Sequence, residues 1–170
     1  MIAQLTIRIP GLAAILMAAG MLSGCGGSPE RPTAEDYRSA PATRRAVAAD
    51  VGEHAVTIAM QQVGVPYRYG GHGPSGFDCS GLVQYSYLRA GKVLPRTTSQ
   101  LWDSSTTVNR PHLQAGDLLF FSIEGKMQHV GMYIGNNRFV HAPSSGKYVQ
   151  VASLSADYYQ RALLRAGRPK

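Results

Sequence analysis

The stretch Gly76–Val83 constrains the fold of this chain most, because it joins a glycine-rich turn to an apolar, helix-forming run. Aspartate is a good helix N-cap, so Asp78 predicts a helix that has Cys79 in its first turn. The unpaired N–H groups and partial positive charge at that position favour the thiolate, which is the reactive form of cysteine. The other interpretation is a small buried cysteine that only packs, and this stretch alone leaves both open.

The N-terminal residues predict export from the cytoplasm. An apolar run over residues 12–19 is too short to span a bilayer and is typical of a signal sequence. It ends in Leu22-Ser23-Gly24-Cys25, which resembles a bacterial lipobox. The resemblance implies a lipoprotein signal peptide over residues 1–24, cleavage before Cys25, and a lipid anchor on Cys25, which would carry palmitate or a similar acyl chain. An ordinary secretory signal is the alternative. No aspartate follows Cys25 as an inner-membrane retention signal, so for a bacterium with two membranes we expect an outer-membrane lipoprotein facing the periplasm.

Cysteine count and charge narrow the function classes. The chain has two cysteines. If Cys25 carries lipid, Cys79 has no intramolecular partner, and a lone thiol in an oxidising compartment favours a functional role. The formal charge of +7 is typical of an exported protein that meets anionic polymers or membrane surfaces. No interleaving of basic and aromatic residues resembles a nucleic-acid-binding module, so we expect no nucleic-acid partner.

The order of patterns along the chain favours one α+β domain after a tether. Residues 25–45 are rich in Pro, Ser, Thr and Ala, which predicts a flexible tether, and residues 46–170 form the domain. Helical patterns come first and strand patterns afterwards, which predicts N-terminal helices packed on a small antiparallel β-sheet. The predicted helices cover residues 46–63, 79 to near 91, and 99–104; the predicted strands cover residues 118–121, 129–134, 138–141 and 148–151.

Two of the five histidines lie on neighbouring strands of a predicted hairpin. A two-residue turn at Asn136 and Asn137 would place His129 and His141 on opposite faces of the sheet. A three-residue turn that includes Gly135 would make them diagonal neighbours on one face, roughly 7–8 Å apart between Cα atoms. Such a pair could supply the base, and the group that orients it, for a cysteine nucleophile. The turn decides between the two arrangements.

Six short blocks, taken together and in this order, resemble the NlpC-type cell-wall cysteine peptidases, a family with a papain-like fold. One block alone is a weak signal, whereas six in order are highly specific. The resemblance covers roughly residues 55–165. The blocks are residues 67–71, 77–83, 94–97, 115–121, 129–135 and 141–142.

The resemblance implies a cysteine peptidase that hydrolyses amide bonds in peptidoglycan stem peptides or cross-links, without a metal or other cofactor. A lipid-anchored member of this kind is more similar to the cross-link-cutting endopeptidases than to those that cut beside D-glutamate. We expect a monomer with peptidoglycan peptides as substrate, and a regulatory protein as a further partner. The implied site consists of Cys79 as nucleophile, His129 as general base and acid, His141 as orienting group, Tyr67 as oxyanion ligand, and Asp78 and Ser80 in the substrate cleft.

Three alternatives remain open from the sequence. Cys79, His129 and His141, with His72, have the residue types of a zinc site, although their spacing is not that of a zinc motif. The same scaffold could bind peptidoglycan or a partner protein without cutting it. A thioester intermediate could also pass its acyl group to an acceptor other than water. For Trp102 we expect a packing role, and for His54 and His112 exposed positions.

Overall fold

The computed structural model describes residues 50–123 and 126–170, and within them the chain forms the predicted α+β domain. The predicted signal peptide, Cys25, the tether and the first four residues of the predicted domain lie outside these ranges. The helices are α1 (50–60), α2 (Cys79–Arg89), α3 (Thr98–Asp103) and α4 (Asp157–Ala162), and the strands are β1 (His72–Gly73), β2 (Gly76–Phe77), β3 (Ser105–Val108), β4 (Leu118–Ile123), β5 (Lys126–Gly135), β6 (Arg138–His141), β7 (Gln150–Ser153) and β8 (Leu163–Pro169).

The larger sheet of the described residues has six antiparallel strands in the order β3-β8-β4-β5-β6-β7. The strand β8 lies between β4 and β3 and pairs with both. β3 is therefore the edge strand on the side away from β7. The glycine-rich segment before α2 forms a separate two-stranded hairpin of β1 and β2. In the described part, no helix is both long and apolar enough to cross a membrane.

Both faces of the central strands are covered by apolar side chains. On one face, Phe120 and Val130 pack with α1 and α2 residues such as Leu82. On the other face, Phe121 and Phe139 pack beneath α4. Burial of one such side chain stabilises a fold by roughly 1.5–3 kcal/mol, and coverage of both faces explains why β4 is a continuous apolar run instead of an alternating one.

Local sequence signals set the helix boundaries. Thr97 caps α3 through a complete capping box with Gln100, and this agrees with the short helix predicted there. The helix α2 ends before Gly91, which has a φ of 91°, as expected for a C-terminal glycine. Trp102 of α3 packs edge-on against Phe120 with ring centroids 5.3 Å apart, so its predicted packing role is confirmed.

Several predicted boundaries were wrong, and each error has a physical cause. The helical pattern predicted to continue to residue 63 ends at residue 60, because the chain turns before Gly64, which has a φ of 93°. The strand predicted at residues 148–151 is β7, two residues later. No sequence pattern predicted β3, α4 or β8. The helix α4 has only six residues, and the strands β3 and β8 depend on long-range pairing, β8 with β4 and β3 with β8.

Candidate active site

Cys79 is the first residue of α2, as the sequence predicts. The Asp78 carboxylate accepts a hydrogen bond of 2.7 Å from the Gly81 N–H and so caps the helix. A Cβ on Gly81 would collide with the carbonyl oxygen of Gly71, so only glycine allows the glycine-rich turn to pack against the helix start. This close packing fixes the position of the thiol relative to the turn.

Two polar groups contact the Cys79 thiol. Its Sγ lies 3.8 Å from Thr98 Oγ1, at the start of α3, and 3.7 Å from the carbonyl oxygen of Gln128 in β5. Burial raises the pKa of the Cys79 thiol, and hydrogen bonds from Val130 and Thr98 only partly offset this effect. The shift is opposite in direction to the one expected from the helix N-terminus. The resting group is therefore a thiol, and it needs a base to ionise.

Arg96 organises the cleft wall beside the thiol. Its guanidinium forms two hydrogen bonds to the Asp78 carboxylate, of 2.5 and 2.9 Å, and a third of 2.9 Å to Ser80 Oγ. The Gly70 N–H donates a further hydrogen bond of 3.0 Å to Asp78. Both carboxylate oxygens of Asp78 are thus occupied by the protein, which indicates that Asp78 builds the cleft wall and presents Arg96 and Ser80 to it.

A cleft of about 980 Å³ opens over Cys79 and is lined by Tyr67, Asp78 and Ser80, the residues predicted for substrate and oxyanion contacts. His72, which is exposed, and Thr98 also line it. Burial, followed by the neighbouring Cys79 and Asp78, raises the pKa of Tyr67, so its phenol stays protonated and can donate a hydrogen bond. The structure therefore brings four of the predicted site residues together in one cleft.

The hairpin between β5 and β6 combines features of both predicted turns. Asn136 and Asn137 form a two-residue turn with φ values of 51° and 57°, and Gly135 pairs with Arg138. A β-bulge just before Gly135 then shifts the register, so that Met132 pairs with Val140. This is the register expected for the three-residue turn, and it places the two histidines on one face.

His129 and His141 form a direct hydrogen bond of 2.8 Å between Nε2 of the first and Nδ1 of the second. They are 6% and 1% exposed. Gly131 leaves room for this pair, because a Cβ there would lie 2.5 Å from the ring of Phe139, which packs against His141. Burial lowers the pKa of His129 to about 4, and burial together with the charge of His129 lowers that of His141 to about 3. Both imidazoles are neutral at neutral pH.

The strand β5 carries both His129 and the backbone carbonyl that contacts the Cys79 thiol. Among the described residues, no hydrogen bond joins the Cys79 Sγ to an imidazole nitrogen; its contact is with the carbonyl of Gln128, the residue before His129. Because His141 occupies Nε2 of His129, Nδ1 is the nitrogen left to accept the thiol proton. Catalytic hydrogen bonds are often long before substrate binds, so this geometry suits a base that engages the thiol during the reaction.

Three residues at the site were missed or given too small a role by the sequence reasoning. Arg96 lies in the family block of residues 94–97 but is not among the site residues that the resemblance implies, and it binds Asp78 and Ser80 directly. Thr98 was assigned only to an irregular segment, and Tyr159, which lies beside His141, received no assignment. The capping box before α3 was a signal that could have placed Thr98 at a helix start.

His54 and His112 are exposed, as expected. Within residues 50–123 and 126–170, no group of three or more His, Cys, Asp or Glu side chains is arranged to hold a metal ion.

Comparisons with known proteins agree with this geometry. Residues 64–168 match the model of the NlpC/P60 family. The murein DD-endopeptidase MepH of Escherichia coli is 43% identical over 120 residues, which are 67% of this chain and 44% of that protein. The bifunctional muramidase/DL-endopeptidase CwlT of Bacillus subtilis is 40% identical over 125 residues, which are 71% of this chain and 37% of that protein. The chain thus spans less than half the length of these two curated relatives.

Solved structures show the same fold. The crystal structure of the NlpC/p60 domain of the peptidoglycan hydrolase SagA is similar with a TM-score of 0.60 and 35% sequence identity. The match covers 68% of this chain and 97% of that domain. The predicted papain-like α+β fold is confirmed by this likeness, and the predicted roles of the individual site residues remain predictions.

Proposed function

The chain belongs to the NlpC/P60 family, and from that premise we propose that it is a cysteine peptidase that hydrolyses amide bonds of peptidoglycan. The observation that carries the proposal is the His129–His141 hydrogen bond. It occupies Nε2 of a buried, neutral imidazole and leaves Nδ1 to act on the thiol of the adjacent cleft. The names of the two curated relatives support peptidoglycan as the substrate.

The proposed reaction begins with transfer of the Cys79 thiol proton to Nδ1 of His129. The thiolate attacks the substrate carbonyl carbon, and the resulting oxyanion accepts hydrogen bonds from the Cys79 N–H and the Tyr67 phenol. His129 then protonates the departing amine as the C–N bond breaks, which leaves a thioester on Cys79. Water, activated by the same imidazole, hydrolyses the thioester and restores the thiol.

Of the two bond types considered, we favour the D-alanyl cross-link over the bond beside D-glutamate. The relative with 43% identity is named a murein DD-endopeptidase, which supports this choice. The other relative is named as a DL-endopeptidase, so the bond that is cut has to be identified from the reaction product.

The deciding experiment is digestion of purified peptidoglycan, with mass spectrometry of the released fragments. The full chain and a matched Cys79→Ala protein are compared. Conversion of cross-linked dimers to monomers by the unaltered protein alone is the expected result, and shortened stem peptides would assign the other bond. No change with a folded, unaltered protein would contradict the proposal and favour the binding scaffold that does not cut peptidoglycan.

We also propose that Cys25 anchors the protein by lipid to the outer membrane, facing the periplasm. The lipobox-like residues Leu22–Cys25 support this location. Metabolic labelling with a palmitate analogue should mark the full chain and should fail to mark a Cys25→Ala variant. Equal labelling of both proteins would contradict the anchor.

A further inference from the structure

We propose that Tyr159 is a positioning residue of this site, whose hydroxyl oxygen holds His141 with its proton on Nε2 while His129 carries the positive charge. The inference rests on the proposed function and adds Tyr159 as a fourth member to the series Cys79, His129 and His141. It concerns a residue of α4, which the sequence did not connect with the site.

The contacts of His141 carry the argument. Its Nδ1 bonds to His129 at 2.8 Å, and its Nε2 lies 3.4 Å from the Tyr159 hydroxyl oxygen. The rings of His141 and Tyr159 meet edge to face, with centroids 5.6 Å apart. His141 is 1% exposed, so in the described structure each of its nitrogens has one protein partner. A buried imidazole in this situation is controlled by those two partners.

Aromatic packing fixes the Tyr159 ring. Its centroid lies 4.9 Å from that of Phe139, at an interplanar angle of 85°, and 5.5 Å from that of Phe121, at an interplanar angle of 64°. The short helix α4 lies on β4 and delivers Tyr159 to this cluster. Because the ring is held on two sides, the hydroxyl meets His141 without a large loss of side-chain freedom.

The Tyr159 hydroxyl can accept a hydrogen bond while its own hydrogen points elsewhere. Tyr159, Ser144 and Lys147 line a cavity of about 450 Å³, together with the two histidines. A phenol has one donor and two acceptor positions, so its O–H can be directed into this cavity. Burial, followed by Tyr158, raises the pKa of Tyr159, which keeps the phenol neutral.

Two proton arrangements suit the neutral histidine pair. In the first, His129 Nε2–H donates to His141 Nδ1, and His141 Nε2–H donates to Tyr159. Nδ1 of His129 is then bare and can take the thiol proton. In the second, every donor is reversed, and His129 presents an N–H to the thiol, which cannot act as a base. The first arrangement alone is productive.

When His129 is protonated, only one of these two arrangements is possible for His141. An imidazolium has a proton on both nitrogens, so its Nε2–H must donate to His141 Nδ1. His141 is neutral, and its proton must therefore lie on Nε2, where Tyr159 is the acceptor. Without the hydroxyl, the charged state leaves a buried N–H unpaired, whereas substrate binding in the Cys79 cleft is untouched. The His129–His141 hydrogen bond becomes charge-assisted in this state and is stronger than a neutral one, and the Tyr159 oxygen keeps His141 in the form that can accept it.

Tyr159→Phe, compared with Tyr158→Phe, tests the inference. Tyr158 is the adjacent, exposed tyrosine, and it contacts the Tyr159 ring without a hydrogen bond to either histidine among the described contacts. On peptidoglycan peptides, we expect Tyr159→Phe to lower kcat roughly 10-fold with KM unchanged, since the buried Nε2–H of His141 loses its acceptor when His129 is charged. Tyr158→Phe should retain the original kcat. A kcat of Tyr159→Phe equal to that of the unaltered protein would overturn the inference.

Two measurements need no substrate. The nitrogen chemical shifts of His141 should show the proton on Nε2 in the unaltered protein, and a proton on Nδ1 would overturn the inference. The pH at which Cys79 becomes reactive towards iodoacetamide should rise in Tyr159→Phe and stay constant in Tyr158→Phe. His129 and Lys147 also act on His141, and both are unchanged in this comparison.

These readouts separate the two proposals. If the protein cuts no peptidoglycan but shows the expected His141 proton and the rise in the alkylation pH, the proposed function fails and the role of Tyr159 stands. If it cuts peptidoglycan and both tyrosine variants behave alike, the role of Tyr159 fails and the proposed function stands.

Discussion

The thiol half of the site (Cys79, Asp78, Ser80 and Arg96) and the imidazole half (His129, His141 and Tyr159) have contrasting surroundings. The thiol half lines a wide cleft, and its groups are held by charged hydrogen bonds to backbone and side chains. The imidazole half is packed among Phe121 and Phe139. Recognition of a polar peptide suits the first setting, and control of one proton suits the second, because hydrogen bonds are stronger away from water.

The two halves share burial, which sets the direction of the pKa shifts of Cys79 and His129. Burial raises the pKa of Cys79 and lowers that of His129 to about 4, so both groups rest uncharged. An ion pair can form only when a proton moves from one half to the other.

The largest expected effect comes from removing the base. His129→Ala should lower kcat by about 1,000-fold or more, whereas His141→Ala should leave residual activity, because an orienting group contributes less than the base. Steady-state kinetics on peptidoglycan peptides measure both, and circular dichroism checks that each variant is folded. Full activity in His129→Ala would refute its assignment as the base.

Acid should destabilise the imidazole half. The native pKa values of His129 and His141, about 4 and 3, lie below the ordinary 6.5. Their stabilising effect is complete above about pH 6.5 and is lost as the pH falls towards the native values, since the unfolded chain takes up protons first. We expect the free energy of unfolding to fall by about 3 kcal/mol between about pH 7 and about pH 5.

Urea unfolding across this pH range provides the measurement, with His141→Gln as the comparison. The variant has one fewer histidine to titrate, so its free energy of unfolding should change less with pH. If the unfolding free energy of the unaltered protein is constant over this range, the histidine pair is not buried in the neutral form.

Asp78→Asn should weaken the thiol half. Asparagine can still cap α2, but it lacks the second anionic oxygen that binds Arg96, which is 32% exposed. We expect a loss of about 2 kcal/mol in the free energy of unfolding, less than for a fully buried pair because water reaches Arg96. Chemical denaturation measures the loss, together with an increase in KM as the cleft wall loosens.

Asp157→Asn is the matched control for this substitution. Asp157 is 86% exposed and its ion pair with Arg161 is 4.0 Å long, so the same chemical change should have almost no effect on stability. Equal losses in the two variants would show that the Asp78–Arg96 pair has no special role.

The smallest expected effect is that of Gly131→Ala. The added methyl group would press on the Phe139 ring and through it on His141, at a cost of about 1 to 2 kcal/mol. Gly73→Ala is the control, because a Cβ at Gly73 has no atom within 4 Å. Thermal unfolding should separate the two variants, and equal stability would argue against tight packing around the histidine pair.

The parts of the fold that were predicted correctly depend on near neighbours in the chain. Asp78 caps α2 by accepting a hydrogen bond from the N–H three residues later, Thr97 and Gln100 form a capping box, and β4 is a continuous apolar run. The strand β8 could not be found in this way, because its residues become a strand through pairing with β4 and β3.

The sequence by itself determined the start of α2, the identity of the thiol, the hairpin that carries the two histidines, and the family resemblance of the domain. Tertiary structure alone decided the register bulge before Gly135, the Arg96–Asp78 pair across 18 residues, and the contact of Tyr159 with His141, also across 18 residues. The physical reason is the separation along the chain of the residues that interact. Caps, turns and hydrophobic runs are set by neighbouring residues, whereas the burial and hydrogen bonds that tune an active site come from segments joined only by folding.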